Sequence, residues 1–222
     1  MKSNSTRIKH ISPAEKYTVP ILVLFYTVGA FGMSFQLTRQ LFITMIPYVI
    51  LASTILCFIF HENGWSTRTI ITFLLIALIS WIIEYAGVKT GKIFGSYSYS
   101  SALGLSVSGT PLIIGINWLF LVYCTAAVTT NIKPWFFQVI SASLLMVAYD
   151  AVLEISAPFL NMWKFDAGRV PWNNFAAWFI LALCFHILLK LAGISIANRI
   201  ARYVFIIQFL FFIIVSVVVK NL

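Results

Sequence analysis

Glu84, Asp150 and Glu154 stand inside or beside apolar runs long enough to cross a bilayer. The chain of 222 residues has only 6 Asp and Glu, and the other three, Glu15, Glu62 and Asp166, fall in polar stretches. An ionisable side chain at membrane depth costs roughly 2.5–3.5 kcal/mol on insertion scales, which makes it a functional candidate. Asp150 and Glu154 have i, i+4 spacing. On a helix they share one face, about 6 Å apart along the axis. Two carboxyl groups in one apolar site do not both ionise readily, so one can hold a proton beside a charged neighbour. That arrangement suits an acid and a base acting together. Glu84, from another segment, can complete the site.

Two plainer readings compete. The three acids can be hydrated at the membrane interface, or paired with Lys89, Lys92 or Arg169. Three carboxylates can also bind a hard cation, or iron if histidine joins them. The chain has only three histidines: His10 in the N-terminal tail, His61 on the wrong membrane face, and His186 without a ligand-spaced companion. A metal site is therefore not expected, and His186 reads as a hydrogen-bonded packing residue. There is no GxGxxG, GxSxG or phosphate-binding loop.

The elements that must position these acids are apolar. The chain is 61% hydrophobic and 9% charged, with mean hydropathy +0.96, against about 25% charged in soluble domains. Seven apolar segments are expected to be helices: 19–35, 41–60, 69–88, 111–128, 135–153, 175–191 and 203–219. They lack the alternation of a barrel, so the fold class is all-α, a polytopic membrane bundle of about seven transmembrane helices. The chain, 1–222, reads as one integral membrane domain. The first apolar run lacks a small-residue cleavage site and reads as the first membrane helix rather than a signal peptide. Gln36–Gln40, Thr129–Pro134 and Ala192–Arg202 are expected as short connections. Cys57, Cys124 and Cys184 read as small packing residues.

The net charge of +9 does not indicate nucleic acid, because the basic residues are spread over termini and loops. Nine Lys/Arg fall on the side of the N-terminus, among them Lys2, Arg7, Lys9 and Lys133, and six on the other. The positive-inside rule then places the N-terminus in the cytoplasm, with the protein in the cell inner membrane. By parity the two longest loops, 89–110 and 155–174, share a membrane face. The ends of the third and fifth segments and the starts of the fourth and sixth share it too. Glu84, Asp150 and Glu154 can therefore meet Asn117, Trp118, Asn173, Asn174 and Trp178 in one leaflet. Tyr97, Tyr99, Trp163 and Trp172 lie in or beside the two loops on that face. Aromatic faces stabilise cations by roughly 0.5–2 kcal/mol each, so acids beside aromatics make a sensible site for a carbocation.

Glu84-Tyr-Ala-Gly through Gly95-Ser-Tyr-Ser-Tyr99, then Leu103-Gly104, Gly109-Thr-Pro111 and Asn117-Trp118, form an ordered signature. Asp150-Ala-Val-Leu-Glu154, Trp163 and Val170-Pro-Trp-Asn-Asn-Phe-Ala-Ala-Trp178 continue it. Over about residues 80–180 the chain resembles the carotenoid biosynthesis membrane proteins of the CruF type. It departs at Ile155, where proline is frequent, and at Lys164 and Asp166 in an aromatic-rich stretch. The resemblance implies a hydratase that adds water across the terminal C=C of an acyclic carotenoid end, with a carotenoid substrate and no redox cofactor. Gamma-carotene-like molecules and bisanhydrobacterioruberin are substrates of that type.

On this reading Asp150 donates the proton and Glu154 or Glu84 holds the water, with the reverse assignment open. Asn117, Asn173 and Asn174 orient water, and Tyr97, Tyr99, Trp118, Trp163, Trp172 and Trp178 line the end-group pocket. Two other functions are kept. An end-group cyclase would use the same protonation with an internal alkene as quencher. A carotenoid-binding or transport protein would do no chemistry. A retinal protein is disfavoured, because the last apolar segment contains no lysine before Lys220.

Overall fold

The computed structural model describes residues 13–220. Lys2, Arg7, Lys9 and His10 lie outside the described residues. Among the described residues eight α-helices follow one another: α1 (Pro13–Ser34), α2 (Gln36–Thr44), α3 (Ile46–Ile59), α4 (Thr67–Thr90), α5 (Ile113–Thr129), α6 (Trp135–Ser156), α7 (Trp172–Leu191) and α8 (Arg199–Lys220). Four very short strands, β1 (Tyr97–Tyr99), β2 (Ser106–Val107), β3 (Thr110–Pro111) and β4 (Trp163–Phe165), lie in the two longest loops.

Among the described residues five helices are long and apolar enough to cross a membrane, or six if α2 and α3, bent by 53° to one another, form one span. Helix α5, of 17 residues, is apolar but shorter. The expected polytopic helical bundle is therefore present, while the seven expected segments divide differently. Residues Gln36–Gln40, expected as a connection, begin α2. The second expected segment breaks at Met45. The reason is Pro47, in the first turn of α3, whose nitrogen has no hydrogen for a carbonyl one turn back.

Helix ends follow local chemistry. The Ser66 hydroxyl accepts the Thr69 amide at 3.1 Å and starts α4. Gly91, at φ 64°, stops it in the left-handed conformation that glycine adopts without strain. Pro134 and Pro171 precede α6 and α7.

Helix α5 is the central post. It is apolar all round, as a buried helix must be, and packs against α3, α4, α6 and α8. Helices α6 and α7 pack closely together beside it. Helices α4 and α5 come close at Gly115, where an added Cβ would stand 2.4 Å from the Ala77 carbonyl oxygen. Backbone cannot yield as a side chain can. Gly115→Ala is therefore expected to cost about 1–3 kcal/mol, read as a lower Tm of the purified protein. An unchanged Tm would contradict this account of the α4–α5 contact.

Away from the acids, several polar side chains find partners inside the bundle. His186 Nδ1 pairs with the Ala182 carbonyl at 2.7 Å and Nε2 with the Thr125 hydroxyl at 3.0 Å, the expected packing role. His61 Nδ1 meets the Tyr123 hydroxyl at 2.9 Å. Cys57 and Cys124 are buried with their sulfurs 3.9 Å apart, and Cys184 is exposed.

Candidate active site

The two long loops meet directly. Strands β1 and β4 pair antiparallel, with Tyr97 opposite Phe165, Ser98 opposite Lys164 and Tyr99 opposite Trp163. Side chains alternate across a strand, so the four aromatics turn toward the bundle while Ser98 and Lys164 turn out. Under this ribbon lie the ends of α4 and α6 and the starts of α5 and α7.

Glu84, Asp150 and Glu154 are 4%, 0% and 8% exposed. Glu84 receives three hydrogen bonds. Tyr97 and Tyr99 donate to Oε2 at 2.6 and 2.9 Å, and the Trp118 indole donates to Oε1 at 2.9 Å. Burial, reinforced by the Glu84 carboxyl, pushes the Tyr97 and Tyr99 phenols above their ordinary range, so both remain donors. Glu154 accepts the Trp163 indole at 3.0 Å on Oε2. The Asn174 amide bridges the pair, donating to Asp150 Oδ2 at 2.7 Å and to Glu154 Oε1 at 3.5 Å. Asp150 Oδ1 is buried and has no hydrogen-bond partner among the described residues. Phenol, indole and amide groups, all neutral, are thus the donors to these carboxyl groups, rather than Lys89, Lys92 or Arg169.

Ten of the twelve residues singled out in the sequence line one small cavity of about 20 Å³: the three acids with Tyr97, Tyr99, Asn117, Trp118, Trp163, Asn174 and Trp178. That space is enough for about one water molecule. Trp118 and Trp178 stack with ring centres 4.1 Å apart. Trp172 and Asn173 are not brought in. Trp172 is 82% exposed, and Asn173 donates to the Ile93 carbonyl at 3.2 Å. Phe94, Ile114 and Phe165 line the same cavity and were not singled out. For Phe165 the alternating triplet Trp163-Lys-Phe165 was the available signal; the other two carry none beyond being apolar. Among the described residues no group of three or more His, Cys, Asp or Glu is placed to hold a metal ion.

A larger cavity of about 350 Å³ adjoins the small one, and Ile114, Asn117 and Trp163 line both. Its walls come from α1, α2, α3, α5, α6 and α8 and are almost wholly apolar, including Tyr149, Phe211 and Phe212. Phe25 and Val28 of α1, Met45, and Tyr48 of α3 line it and are also exposed on the outside of the bundle. On an apolar helical bundle that outer face meets lipid, so the wall between α1 and α3 is a thin one.

A family model described as carotenoid biosynthesis protein matches residues 43–222. The chain belongs to this carotenoid biosynthesis family. The site of this family member lies wholly within the matched residues. A curated relative, the bisanhydrobacterioruberin hydratase of Haloarcula japonica, is 26% identical over 119 residues. That match covers 47% of this chain and 39% of the relative, so the chain spans well under half of that protein. No solved structure matches this carotenoid biosynthesis protein. Its family and its long apolar helices make it an integral membrane protein of carotenoid biosynthesis.

Proposed function

We propose that this protein is a carotenoid hydratase that adds water to the terminal C=C of an acyclic end group, giving a tertiary alcohol. The observation that carries the reading is a buried three-carboxyl site, unevenly hydrogen-bonded, beside a larger apolar cavity that shares Ile114, Asn117 and Trp163 with it. A rod-like polyene enters between α1 and α3, and its end group stops beside Asn117 and Trp163.

The hydrogen bonds support a division of roles. Three donors converge on Glu84, which suits a charged carboxylate. Asp150 has one donor for two oxygens. A buried carboxylate with a bare oxygen is costly, and a neutral acid much less so. Asp150 is therefore the proton donor. Its proton goes to the less substituted alkene carbon, and the positive charge settles on the tertiary carbon. The buried carboxylates and the Trp163 ring hold that cation. Water in the small cavity bonds to it through oxygen and releases a proton to Glu154. Return of that proton to Asp150 restores the site. No redox change occurs and no redox cofactor is required.

In the same reading the chain is a single domain of the cell inner membrane with its N-terminus in the cytoplasm, supported by the basic excess on that side. The test is expression in a bacterium that makes lycopene or gamma-carotene, with pigments resolved by chromatography and mass spectrometry. A more polar pigment heavier by one water is expected. A new pigment of unchanged mass would replace hydration with cyclisation, and unaltered pigments would leave a binding or transport role.

Asn174 provides a second check, because it touches both members of the pair. Asn174→Ala is expected to lower turnover about tenfold, the upper worth of one hydrogen bond to a neutral group. Product yield per unit of membrane protein reads this out. Undiminished yield would remove Asn174 from the mechanism.

A further inference from the structure

The end of the bundle away from the acids carries a second polar feature. Helices α5 and α7 end there, and α6 and α8 begin. A groove of about 610 Å³ lies at this end. Thr130, Lys133, Trp135, Gln138, Lys190 and Ser195 line it, and no acidic residue does. Trp135 and Asp150 are separated by about 22 Å of α6, so the groove and the carboxyl site are distinct.

Both lysines have donors to spare. The Lys190 ammonium donates to Oε1 of the buried Gln138. An ammonium has three donors, so two remain for a ligand. Lys133 is exposed and meets no acceptor among the described residues. The surroundings are those of a lipid boundary. Trp135, Phe136 and Phe137 open α6 and are exposed, as aromatics at headgroup depth are. Phe137, Ile140 and Leu144 are exposed at i, i+3 and i+7, so an apolar stripe runs from this end along the outside of α6.

Orientation of the chain in the membrane accounts for lysines on this face. It does not account for two of them sharing one groove with hydroxyls and an indole, at the head of an apolar stripe. Basic pockets between membrane helices bind the headgroups of anionic lipids. A soluble anion would use the lysines alone, whereas a phospholipid uses the stripe as well.

We propose that this groove binds one anionic phospholipid. Lys133 and Lys190 take the phosphate oxygens, and the Thr130 and Ser195 hydroxyls and the Trp135 indole meet the rest of the headgroup. An acyl chain lies along Phe137, Ile140 and Leu144. The site is independent of the hydratase reading.

The test uses the full chain purified in detergent, with phosphatidylglycerol and phosphatidylcholine offered in equal amounts. Bound lipid is counted by native mass spectrometry. Phosphatidylglycerol is expected to bind about thirtyfold more tightly, the worth of two lysines at a lipid surface. Lys133→Gln with Lys190→Gln should bring the ratio to about one. Lys92→Gln with Lys164→Gln, which removes the same charge from the opposite end, should leave it unchanged. If the first pair does not assemble, Lys133→Gln alone, at an exposed position, should lower the preference about fivefold. Equal binding of the two lipids by the unmodified chain would overturn the site. So would a preference that survives the loss of these lysines. Displacement of phosphatidylglycerol by equimolar inorganic phosphate would make the groove a site for soluble anions and overturn the lipid assignment.

Discussion

Asp150→Asn is expected to lower hydration about a thousandfold, within the range that positioned acid–base groups contribute. Asparagine matches aspartate in size, and its amide can still meet Asn174, which now contacts Oδ2 at 2.7 Å. The position is fully buried between α6 and its neighbours, so a change that keeps volume keeps the packing. What is lost is a transferable proton. Protein yield and tryptophan fluorescence should stay near those of the unmodified chain while the product disappears. If D150N retains full turnover, the donor role moves to Glu154, the other carboxyl held by Asn174.

Glu84→Gln should have the second-largest effect, and it should appear in both stability and turnover. Glu84 accepts two phenols on Oε2 and one indole on Oε1. Glutamine offers one carbonyl oxygen and one NH2 group, so at least one of these donors loses its acceptor. Each buried donor left unmet costs about 1–3 kcal/mol. Tyr97 and Tyr99 belong to β1, which is paired to β4 and hence to Trp163 at Glu154. Loosening the ribbon thus disturbs the second carboxyl as well. A fall in turnover of about a hundredfold and a lower Tm are expected together. Tyr97→Phe combined with E84Q should lose less than the sum of the two single changes, because they share one interaction. Full additivity would mean that the phenol and the carboxyl act separately.

The acids were legible because charge is conspicuous in apolar segments, and parity alone placed the two loops on one face. The direct contact between those loops was not legible. Tyr97-Ser-Tyr99 and Trp163-Lys-Phe165 do alternate, but three residues each is too short a period to separate from chance, and pairing joins segments far apart in the chain. The break at Met45 had a visible cause in Pro47. Yet Pro20 lies inside α1 without ending it, as membrane helices often allow, so proline alone does not decide. Trp172 and Asn173 share a motif with Asn174, but successive side chains on a helix point in different directions, and only Asn174 reaches the acids. The aromatic pocket was expected from ring faces. The structure shows Tyr97, Tyr99, Trp118 and Trp163 meeting the carboxyl groups through their O–H and N–H edges. The large cavity has no sequence signature at all, since it is a gap left by the packing of six helices.

The central claim is that water, and no other reagent, is added by the buried carboxyl site. Its most direct test is purified protein in lipid nanodiscs with an acyclic carotenoid, in oxygen-18 water with no added cofactor or reductant. The account predicts a product heavier by one labelled water, its oxygen on a tertiary carbon, and no such product from D150N. A product carrying unlabelled oxygen, or labelled product formed equally by D150N, would contradict it.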